Sequence, residues 1–385
     1  MKNILLVSQN FFPESFKSND IAFELQKNGY NVSVLTGIPN YPQGKYTLGY
    51  GIFKKRFEII NGVKIYRCFQ IPRGKHFVKF LLPFTYLSFM IFGSFWALYL
   101  SFFNKYDVIF VHQVSPITQT LPAIIVKKIQ KIPIILWVLD LWPDAFISGS
   151  GINYKPFNIL IDKYVSFSYN NSDIILIGSK SFHCQIKNKN PKLAIIEYFP
   201  NWAEDCFESS EKRTLPNLQS GFKIMLAGNL GVSQNLDNVM KVAKALKNEN
   251  ISWVLLGDGS KKKWLEDYIK DNSLENNVKL LGKFPIESMP SFYTKADLML
   301  LSLGSEYEDL KLVVPARLQS YMAVGKPILG FIDGASAELI QEAQCGFTVG
   351  ASDVNGLINV IKNEILPNKF NLVSMGINGK IYYNE

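Results

Sequence analysis

The stretch "KLVVPARLQSYMAVGKPIL", Lys311–Leu329, contains one complete loop–helix–strand unit, and this unit indicates the fold. Pro315 turns a loop into a helical segment, Gly325 and Pro327 end that segment, and an apolar strand follows. The amino end of such a helix presents free backbone N–H groups and a partial positive charge, which suit a phosphate. The charged residues of this stretch are all basic, and Arg317 lies at the start of the helix. We therefore predict an anion-binding unit of loop, helix and strand.

The same alternation of short β-branched runs and longer helical patterns extends in both directions, and it predicts βαβ units with parallel sheets. Several runs end in small or polar residues, at the point where the carboxyl ends of parallel strands form a ligand-binding crevice. The expected fold class is α/β, with two Rossmann-like doubly wound domains that face a central cleft. The predicted strands are NILLVSQ, NVSVLTG, VIFVHQ, IILWVLD and DIILIGS in the first half, and FKIMLAGN, ISWVLLGDG, VKLLGKF, DLMLLSL and PILGFI in the second.

A boundary between the two domains is predicted where the composition becomes polar and charged. At 385 residues the chain exceeds one typical domain. Pro200, Pro216 and Gly221 interrupt the region before the next predicted strand. The predicted divisions are an N-terminal domain over residues 1–205, a linker over 206–220, a C-terminal domain over 221–370 and a short C-terminal segment over 371–385.

The charge balance favours anionic partners. The chain carries 41 Lys+Arg against 32 Asp+Glu, a net charge of +9, which suits phosphorylated molecules or an anionic membrane surface. Nucleic acid is not expected as a partner, because the sequence contains no Arg-rich stripe or nucleic-acid-binding motif. The four cysteines and three histidines are scattered without metal-ligand spacing. We therefore expect no metal site, no cofactor and a reduced, cytoplasmic protein.

The segment Phe80–Asn104 interrupts the pattern because it contains no charged residue. Its length suffices for a transmembrane span, but a span would put the strands before and after it on opposite sides of a bilayer. A helix wholly buried in the first domain is a second alternative. The preferred interpretation is a membrane-associating segment over residues 76–104 that dips into one leaflet, helped by Arg73, Lys75 and Lys79.

A polar loop follows the first predicted strand. It runs from Gln9 to Lys17, and Asn19 or Asp20 can cap the helix that comes next. One interpretation is an ordinary strand–helix turn with a Pro-rich surface loop. The other is an aromatic-lined lip that binds a substrate, with Lys17 facing a pyrophosphate. The candidate binding residues of this lip are Phe16, Lys17, Asn19, Asn40 and Tyr41.

The run "LWVLDLWPDAF" places Asp140 and Trp142 directly after a buried strand. A carboxylate at the end of an apolar run, beside a tryptophan that can stack on a sugar, is typical of a ligand crevice. Asp140 is therefore a candidate catalytic residue and Trp142 a candidate binding residue. The alternative for Asp140 is a cap of the following turn.

Glycine-containing turns follow the strands of the second domain and predict backbone contacts with a ligand. The runs "AGNLG" and "LLGDGSKKK" each join a strand to a helix, and "LLGKF" ends a third strand. One such turn is a weak signal, whereas several that face one crevice are typical of a sugar-nucleotide site. The candidate donor-binding residues are Gly228, Asn229, Gly231, Gly257, Gly259, Lys283, Phe284, Ala316 and Ser320, with Arg317 as a catalytic candidate.

Together these motifs resemble those of retaining glycosyltransferases of family 4, which have the GT-B architecture. The resemblance extends over nearly the whole chain and is closest to the WbuB-like branch of surface-polysaccharide enzymes. It rests on "SQNFFPESFKSNDIAFEL", "LTGIPNYPQGKY", "VHQVSPIT", "WVLDLWPD", "YFPNW", "LLGDGSKK" and "VVPARLQSYMAVGKPIL".

The resemblance implies transfer of a sugar, a UDP-N-acetyl-hexosamine or deoxy-sugar relative as donor, to a polyprenyl-diphosphate-linked glycan in O-antigen or capsule synthesis. The acceptor would bind the N-terminal domain and the nucleotide-sugar the C-terminal one, at the inner face of the bacterial plasma membrane. It further implies a metal-independent reaction in which Arg317 stabilises the leaving diphosphate and Asp140 orients the acceptor or the transferred sugar.

Several positions depart from the wider family. The family's histidine just before Asp140 is Leu139 here, and one of its paired glutamates is Ser320. Its two basic residues on the first loop of the C-terminal domain are Asn229 and Gln234. The missing glutamate leaves the identity of the donor sugar open. Two alternatives to a transferase remain: a UDP-sugar 2-epimerase with the same two-lobed fold, and a non-catalytic subunit that binds a sugar nucleotide.

Overall fold

The chain divides into two compact units, Met1–Pro200 (unit 1) and Asn201–Glu385 (unit 2). Some of the residues assigned above lie outside the described part of the chain. For membrane attachment these are residues 75–77 and the side chain of residue 79, and for the predicted linker they are residues 209–212. The computed structural model describes residues 1–74, 78–190, 195–208, 213–306 and 308–385, without the side chains of 78–80 and 149–150.

An eight-stranded sheet forms the centre of unit 1. Its strands are β1 Asn3–Val7, β2 Asn31–Gly37, β3 Phe57–Ile60, β4 Val63–Cys68, β5 Val108–Gln113, β6 Ile134–Val138, β7 Ile174–Ile177 and β8 Ile195–Tyr198. Their order is β3-β4-β2-β1-β5-β6-β7-β8, and every pairing is parallel except that of β3 with β4. Central parallel strands are apolar along their length because both faces are covered, and Leu5, Leu6 and Val7 of β1 are fully buried.

Helices cover both faces of this sheet. They are α1 Lys17–Lys27, α2 Val78–Phe103, α3 Thr120–Gln130, α4 Asp144–Ser150, α5 Lys155–Asn170 and α6 Phe182–Lys189. Crossovers between parallel strands are right-handed, so the direction of a connection along the sheet sets the face on which its helix lies. The connection through α1 runs from β1 to β2, toward the β3 edge of the sheet, whereas the connections through α2 to α6 run toward the β8 edge. Therefore α1 lies on one face and the other five helices lie on the opposite face. The strand order reverses between β1 and β5, which opens a crevice at their carboxyl ends.

A six-stranded parallel sheet forms the centre of unit 2. Its strands are β9 Phe222–Ala227, β10 Ile251–Leu256, β11 Val278–Gly282, β12 Leu298–Ser302, β13 Ile328–Phe331 and β14 Gly346–Val349. Its helices are α7 Leu236–Ala245, α8 Lys262–Asp271, α9 Met289–Lys295, α10 Ala316–Ala323, α11 Ala335–Glu342, α12 Val354–Asn359 and α13 Asn371–Asn384. The order β11-β10-β9-β12-β13-β14 reverses between β9 and β12, so a second crevice lies at the carboxyl ends of these two strands.

Both ends of unit 2 extend beyond the range predicted for the C-terminal domain. At its beginning, the ring of Phe207 stacks on that of Tyr293 in α9, with centroids 5.3 Å apart. At its end, α13 packs against α10, and a Cβ on Gly376 would lie 2.2 Å from the carbonyl oxygen of Gly325. Residues 201–208 and 371–384 are therefore packed parts of unit 2.

Helix α2 is one continuous helix of 26 residues with two different faces. Phe89, Ala97 and Leu100 are fully buried in unit 1, and Gly93 allows Pro122 of α3 to approach, since a Cβ there would lie 3.1 Å from its ring. Every third or fourth residue on the other side is exposed, as expected for one face of a helix. This α2 stripe consists of Phe84, Leu87, Ile91, Phe95, Leu98 and Phe102.

Two properties of α2 bear on the three interpretations of its sequence. Among the described residues, Leu81–Phe103 is the helix long and apolar enough to cross a membrane. Phe95 is 63% exposed and Phe102 is 74% exposed, so the helix is not wholly buried. One whole face nevertheless packs on unit 1, and a transmembrane span would remove that face from its partners.

Truncation of α2 side chains should therefore affect stability differently on the two faces. We expect Phe89→Ala to lower the free energy of unfolding by about 3–5 kcal/mol, because it empties a fully buried site. The matched variant Phe95→Ala should cost less than about 1 kcal/mol, because the ring is mostly exposed. Urea unfolding of both variants measures the difference, and equal losses would contradict this assignment of faces.

Candidate functional site

The turns that follow β9 and β10 in unit 2 pack backbone against backbone. Gly257 has a φ of +139°, and a Cβ there would lie 1.7 Å from the carbonyl oxygen of Gly228. A Cβ on Gly259 would lie 2.4 Å from the carbonyl oxygen of Leu230. The N–H of Leu230 also donates to the carbonyl of Asp258 at 2.9 Å. A side chain is therefore excluded at positions 257 and 259 of this glycine edge, which comprises residues 228–231 and 257–259.

Arg317 lies at the switch point of unit 2 and connects its two central strands. Its guanidinium donates to the side-chain oxygen of Gln234, in the turn after β9, and to the carbonyl of Ser302, at the end of β12, at 3.3 Å. One of its nitrogens lies 3.5 Å from the position that a Cβ on Gly228 would occupy. The structure thus brings Arg317 to the glycine edge, as the sequence predicted for a shared site.

The positive charge of Arg317 is not neutralised by a carboxylate among the residues that the structure describes. Its hydrogen-bond acceptors are a neutral amide and a backbone carbonyl. Burial lowers the pKa of Arg317 from its ordinary value, while the neighbouring hydroxyls of Tyr321 and Tyr293 raise it, and an arginine remains charged in proteins. A partly buried and uncompensated cation of this kind attracts an anion.

The other donor candidates differ in their contacts with the glycine edge and in their exposure. Gly282 connects β11 to the glycine edge through a hydrogen bond of 2.8 Å from the N–H of Gly257. Lys283 follows it and is exposed, whereas the ring of Phe284 packs edge-on against Phe292 at 4.7 Å. Asn229 on the glycine edge and Ala316 at the start of α10 are exposed.

Ser320 does not reach the glycine edge through a contact in the structure. Its side chain is buried, and its hydroxyl donates to the carbonyl of Ala316, one turn earlier in α10, at 3.5 Å. This bond is the usual local partner of a serine within a helix. Ser320 therefore contacts its own helix in this structure, and its contact with the donor stays a prediction.

A cavity of about 270 Å³ lies at the switch point of unit 1, where β1 and β5 end. Three of the predicted lip residues line it, and the rings of Phe16 and Tyr41 lie 5.3 Å apart. The sequence did not single out the remaining polar residues of its wall as binding candidates. The polar and aromatic lining includes Gln9, Phe16, Asn40, Tyr41, Arg73 and Ser115.

Asp140 is held at one side of this cavity by a short relay of hydrogen bonds. The indole N–H of Trp142 donates to the hydroxyl of Ser115 at 3.2 Å, and that hydroxyl donates to a carboxylate oxygen of Asp140 at 2.8 Å. Asp140 is half-buried, and α4 begins at Asp144 rather than directly after Asp140. Trp142 is buried against Tyr86 and Phe146, so it orients Ser115 instead of offering an open face to a sugar.

Two other lip candidates contact their own loop. Helix α1 begins at Lys17 with no side-chain cap, so neither Asn19 nor Asp20 caps it. The side chain of Asn19 accepts from the N–H of Phe12 at 3.0 Å and donates to the carbonyl of Glu14 at 2.7 Å. Lys17 forms an ion pair with Asp20 at 3.4 Å. Asn19 thus braces the loop, and the charge of Lys17 is shared with a neighbouring carboxylate.

Glu14 is a buried carboxyl that the sequence interpretation missed. One of its oxygens accepts from the backbone N–H groups of Asn40 and Tyr41, at 2.5 and 2.6 Å. Burial raises the pKa of Glu14 to about 7 from its ordinary value of 4.5, although these N–H groups and the charge of Arg73 oppose the shift. The available signal was a lone acid in the otherwise neutral run "QNFFPES".

The stability of the protein should depend on pH through Glu14. Because the pKa of this carboxyl is higher in the folded than in the unfolded state, stability should fall as pH rises from about 4.5 to about 7. The raised pKa corresponds to roughly 3 kcal/mol. In Glu14→Gln the amide oxygen can keep both backbone bonds and no charge has to be buried.

We therefore expect Glu14→Gln to gain about 2–3 kcal/mol relative to the wild type between about pH 5 and about pH 8. Urea unfolding at both pH values measures the two stabilities. Parallel pH profiles for the two proteins would show that Glu14 does not titrate in this range.

Comparisons of sequence identify relatives for the chain. Residues 209–377 match the family model Glycosyl transferases group 1. The chain is 25% identical over 343 residues to the putative colanic acid biosynthesis glycosyl transferase WcaI of Escherichia coli (strain K12), covering 84% of this chain and 81% of that protein. It is 24% identical over 244 residues to the probable glycosyltransferase WbjE of Pseudomonas aeruginosa, and the match spans only 58% of each.

Comparison with solved structures confirms the predicted fold class. The chain resembles Anabaena Alr3699/HepE in complex with UDP, with a TM-score of 0.68 and 14% identity over 100% of this chain and 95% of that one. Its structural neighbours are GT-B glycosyltransferases. The relatives WcaI and WbjE are both named as glycosyltransferases, and neither is named as an epimerase. The chain thus has the GT-B fold, and its residues 209–377 match the Glycosyl transferases group 1 family.

Proposed function

We propose that the protein is a retaining glycosyltransferase that moves a sugar from a nucleotide-sugar to a polyprenyl-diphosphate-linked glycan in the synthesis of a surface polysaccharide such as O-antigen or capsule. The observation that carries the proposal is the uncompensated guanidinium of Arg317 at the glycine edge. The names of WcaI and WbjE support a transferase, and the UDP bound to HepE supports a nucleotide-sugar donor.

The donor would bind unit 2 through its diphosphate. The glycine edge allows the backbone to approach phosphate oxygens closely, because a side chain at Gly257 or Gly259 would collide with the neighbouring turn. Arg317 supplies the positive charge. Its partners Gln234 and Ser302 hold the guanidinium in place without neutralising it, which preserves its attraction for an anion.

The reaction requires stabilisation of negative charge on the leaving group. The bond between the anomeric carbon and the diphosphate oxygen breaks, and a bond from that carbon to the acceptor oxygen forms on the same face of the sugar. The proton of the acceptor hydroxyl passes to the departing phosphate oxygen, so no protein nucleophile and no metal ion are needed. Arg317 would lower the barrier by stabilising the charge that develops on the diphosphate.

Asp140 would orient the acceptor in unit 1. Its carboxylate is already fixed by the hydroxyl of Ser115, which in turn accepts from the indole of Trp142. A carboxylate held in one orientation can accept a hydrogen bond from a sugar hydroxyl with little reorganisation. In this proposal Asp140 is a positioning residue for the acceptor hydroxyl, and Trp142 acts through Ser115.

The protein would work at the inner face of the plasma membrane, bound through the α2 stripe. A continuous exposed stripe of six large apolar side chains is typical of an interaction site. An apolar helix face with flanking cations also suits the headgroup boundary of a bilayer. The aromatic surface continues from α2 onto β3, through ring contacts of 4.6–5.8 Å between neighbours. Its members are Phe57, Tyr66, Trp96, Tyr99 and Phe103, with Lys54 and Arg56 beside Phe57 in the chain.

Arg317→Gln tests the proposed donor site. We expect transfer, or slow hydrolysis of the preferred donor from a panel of UDP-, GDP- and dTDP-sugars, to fall about 100-fold or more, because one charge-stabilising donor is lost. The melting temperature should change little, since the variant leaves no carboxylate among the described residues without its partner. Lys270→Gln removes an exposed cation of α8 and serves as the control. Turnover of folded Arg317→Gln at the wild-type rate would refute the assignment.

A second experiment tests membrane binding. Replacement of Phe84, Phe95 and Phe102 by Ser should reduce co-sedimentation with phosphatidylethanolamine–phosphatidylglycerol vesicles by about tenfold or more, since each apolar side chain buried contributes about 1.5–3 kcal/mol. The matched control carries Ser at Phe370, Val373 and Ile377, which form an equally exposed stripe before and on α13. Undiminished binding of the α2 variant, or an equal loss in the control, would exclude the α2 stripe as the attachment site.

A further inference from the structure

Among the described residues that line the cavity of unit 1, one is charged, and this residue is Arg73. Arg73 comes five residues before α2 begins. Its backbone N–H donates to the side-chain oxygen of Asn40 at 3.2 Å, and its guanidinium lies over the ring of Tyr41, 5.0 Å from the centroid. Contacts to two residues after β2 thus fix the cation in the cavity wall.

The guanidinium of Arg73 forms no ion pair within the described part of the chain. Glu14 is near enough to feel its charge, but the bonded oxygen of that carboxyl is occupied by the N–H groups of Asn40 and Tyr41. A half-buried arginine that faces a polar cavity without a carboxylate partner has free donors for phosphate oxygens.

Lys17, for which the sequence suggested a pyrophosphate contact, is less suited to bind a phosphate. It is not part of the cavity wall, and its ammonium group pairs with Asp20 at 3.4 Å. Lysine is also a point charge, whereas the guanidinium fork of arginine matches two phosphate oxygens at once. The pyrophosphate contact that the sequence suggested for Lys17 therefore fits Arg73 better.

One residue of the cavity wall contacts Asp140. Ser115 lines the cavity and donates to the Asp140 carboxylate. Tyr86 of α2 also lines it, packs against Trp142 with ring centroids 5.7 Å apart, and lies close to the Arg73 side chain. The wall therefore presents a cation for a phosphate, and Ser115 connects the wall to the carboxylate of Asp140.

We propose that Arg73 binds the diphosphate of the lipid-linked acceptor, with the acceptor sugar directed toward Ser115 and Asp140 and the lipid chain leaving along α2. This inference rests on the proposed function and specifies how the acceptor lies in its site. The residues next to Tyr86 in α2 include Phe84 and Leu87 of the exposed stripe, so a chain leaving the cavity along this helix would meet the membrane-facing side chains.

Direct binding of farnesyl diphosphate, a short soluble probe of the prenyl-diphosphate class, tests this inference. Isothermal titration of the full chain should give an affinity that falls about tenfold or more in Arg73→Gln, because a charge-assisted pair is lost. Arg73→Lys should retain part of the affinity. Lys64→Gln, which removes an exposed cation from β4, should bind the probe as the wild type does.

Other probes separate the diphosphate from alternative sources of the same chemistry. Inorganic pyrophosphate should show the same dependence on Arg73 at lower affinity. Partition onto phosphatidylglycerol vesicles should not change in Arg73→Gln, because Arg73 lies in the cavity wall and not, as the sequence suggested, at the membrane surface. A loss of vesicle binding equal to the loss of probe binding would make Arg73 a lipid-headgroup contact and overturn the inference. Circular dichroism melting of each variant verifies that the fold is retained.

Two further results would also overturn the inference: unchanged affinity of folded Arg73→Gln for farnesyl diphosphate, or a comparable loss in Lys17→Gln instead. UDP binding, which would occur in unit 2, should be the same in Arg73→Gln and the wild type. A wild-type protein that binds no nucleotide-sugar and transfers no sugar would refute the proposed function, whereas the dependence of probe binding on Arg73 is measured independently of it.

Discussion

The close approach of Gly257 to the carbonyl of Gly228 is the constraint on which the site of unit 2 depends. Any side chain at position 257 would overlap that oxygen, so the two turns can pack together only as bare backbone. This contact aligns the ends of β9 and β10, and Arg317 closes the edge on the other side by bonding to Gln234 and Ser302. A positive charge is thus held beside exposed backbone where the strand order reverses.

The absence of a carboxylate around Arg317, within the described residues, follows from the identity of its partners. An arginine that is paired with an acid is neutralised and gains little from a bound anion, whereas an amide and a carbonyl position the guanidinium and leave its charge available. Unit 1 repeats this arrangement on a smaller scale. Arg73 is positioned by Asn40 and Tyr41, while the nearby Glu14 is engaged with backbone N–H groups.

Helix α2 has one buried face and one exposed face, although it is apolar along its whole length. Its buried face is part of the core of unit 1, where Phe89 and Gly93 pack closely on their neighbours. Its other face leaves aromatic rings uncovered, in a chain with a net charge of +9. The proposed membrane attachment would cover these rings without removing the helix from its unit, which distinguishes it from a transmembrane span.

The sequence by itself determined ten of the fourteen strands that the structure describes, the alternation with helices and the glycine turns, because these depend on local periodicity and turn chemistry. It did not reveal β3, β4, β8 and β14, which are short or lie toward the sheet edges. The tertiary structure alone decided which charges are compensated, since Glu14 contacts Asn40, Ser115 contacts Asp140 and Arg317 contacts Gln234 across 25 to 83 residues. It also decided the two faces of α2, because a segment that is apolar all round carries no polar contrast from which its buried side could be read.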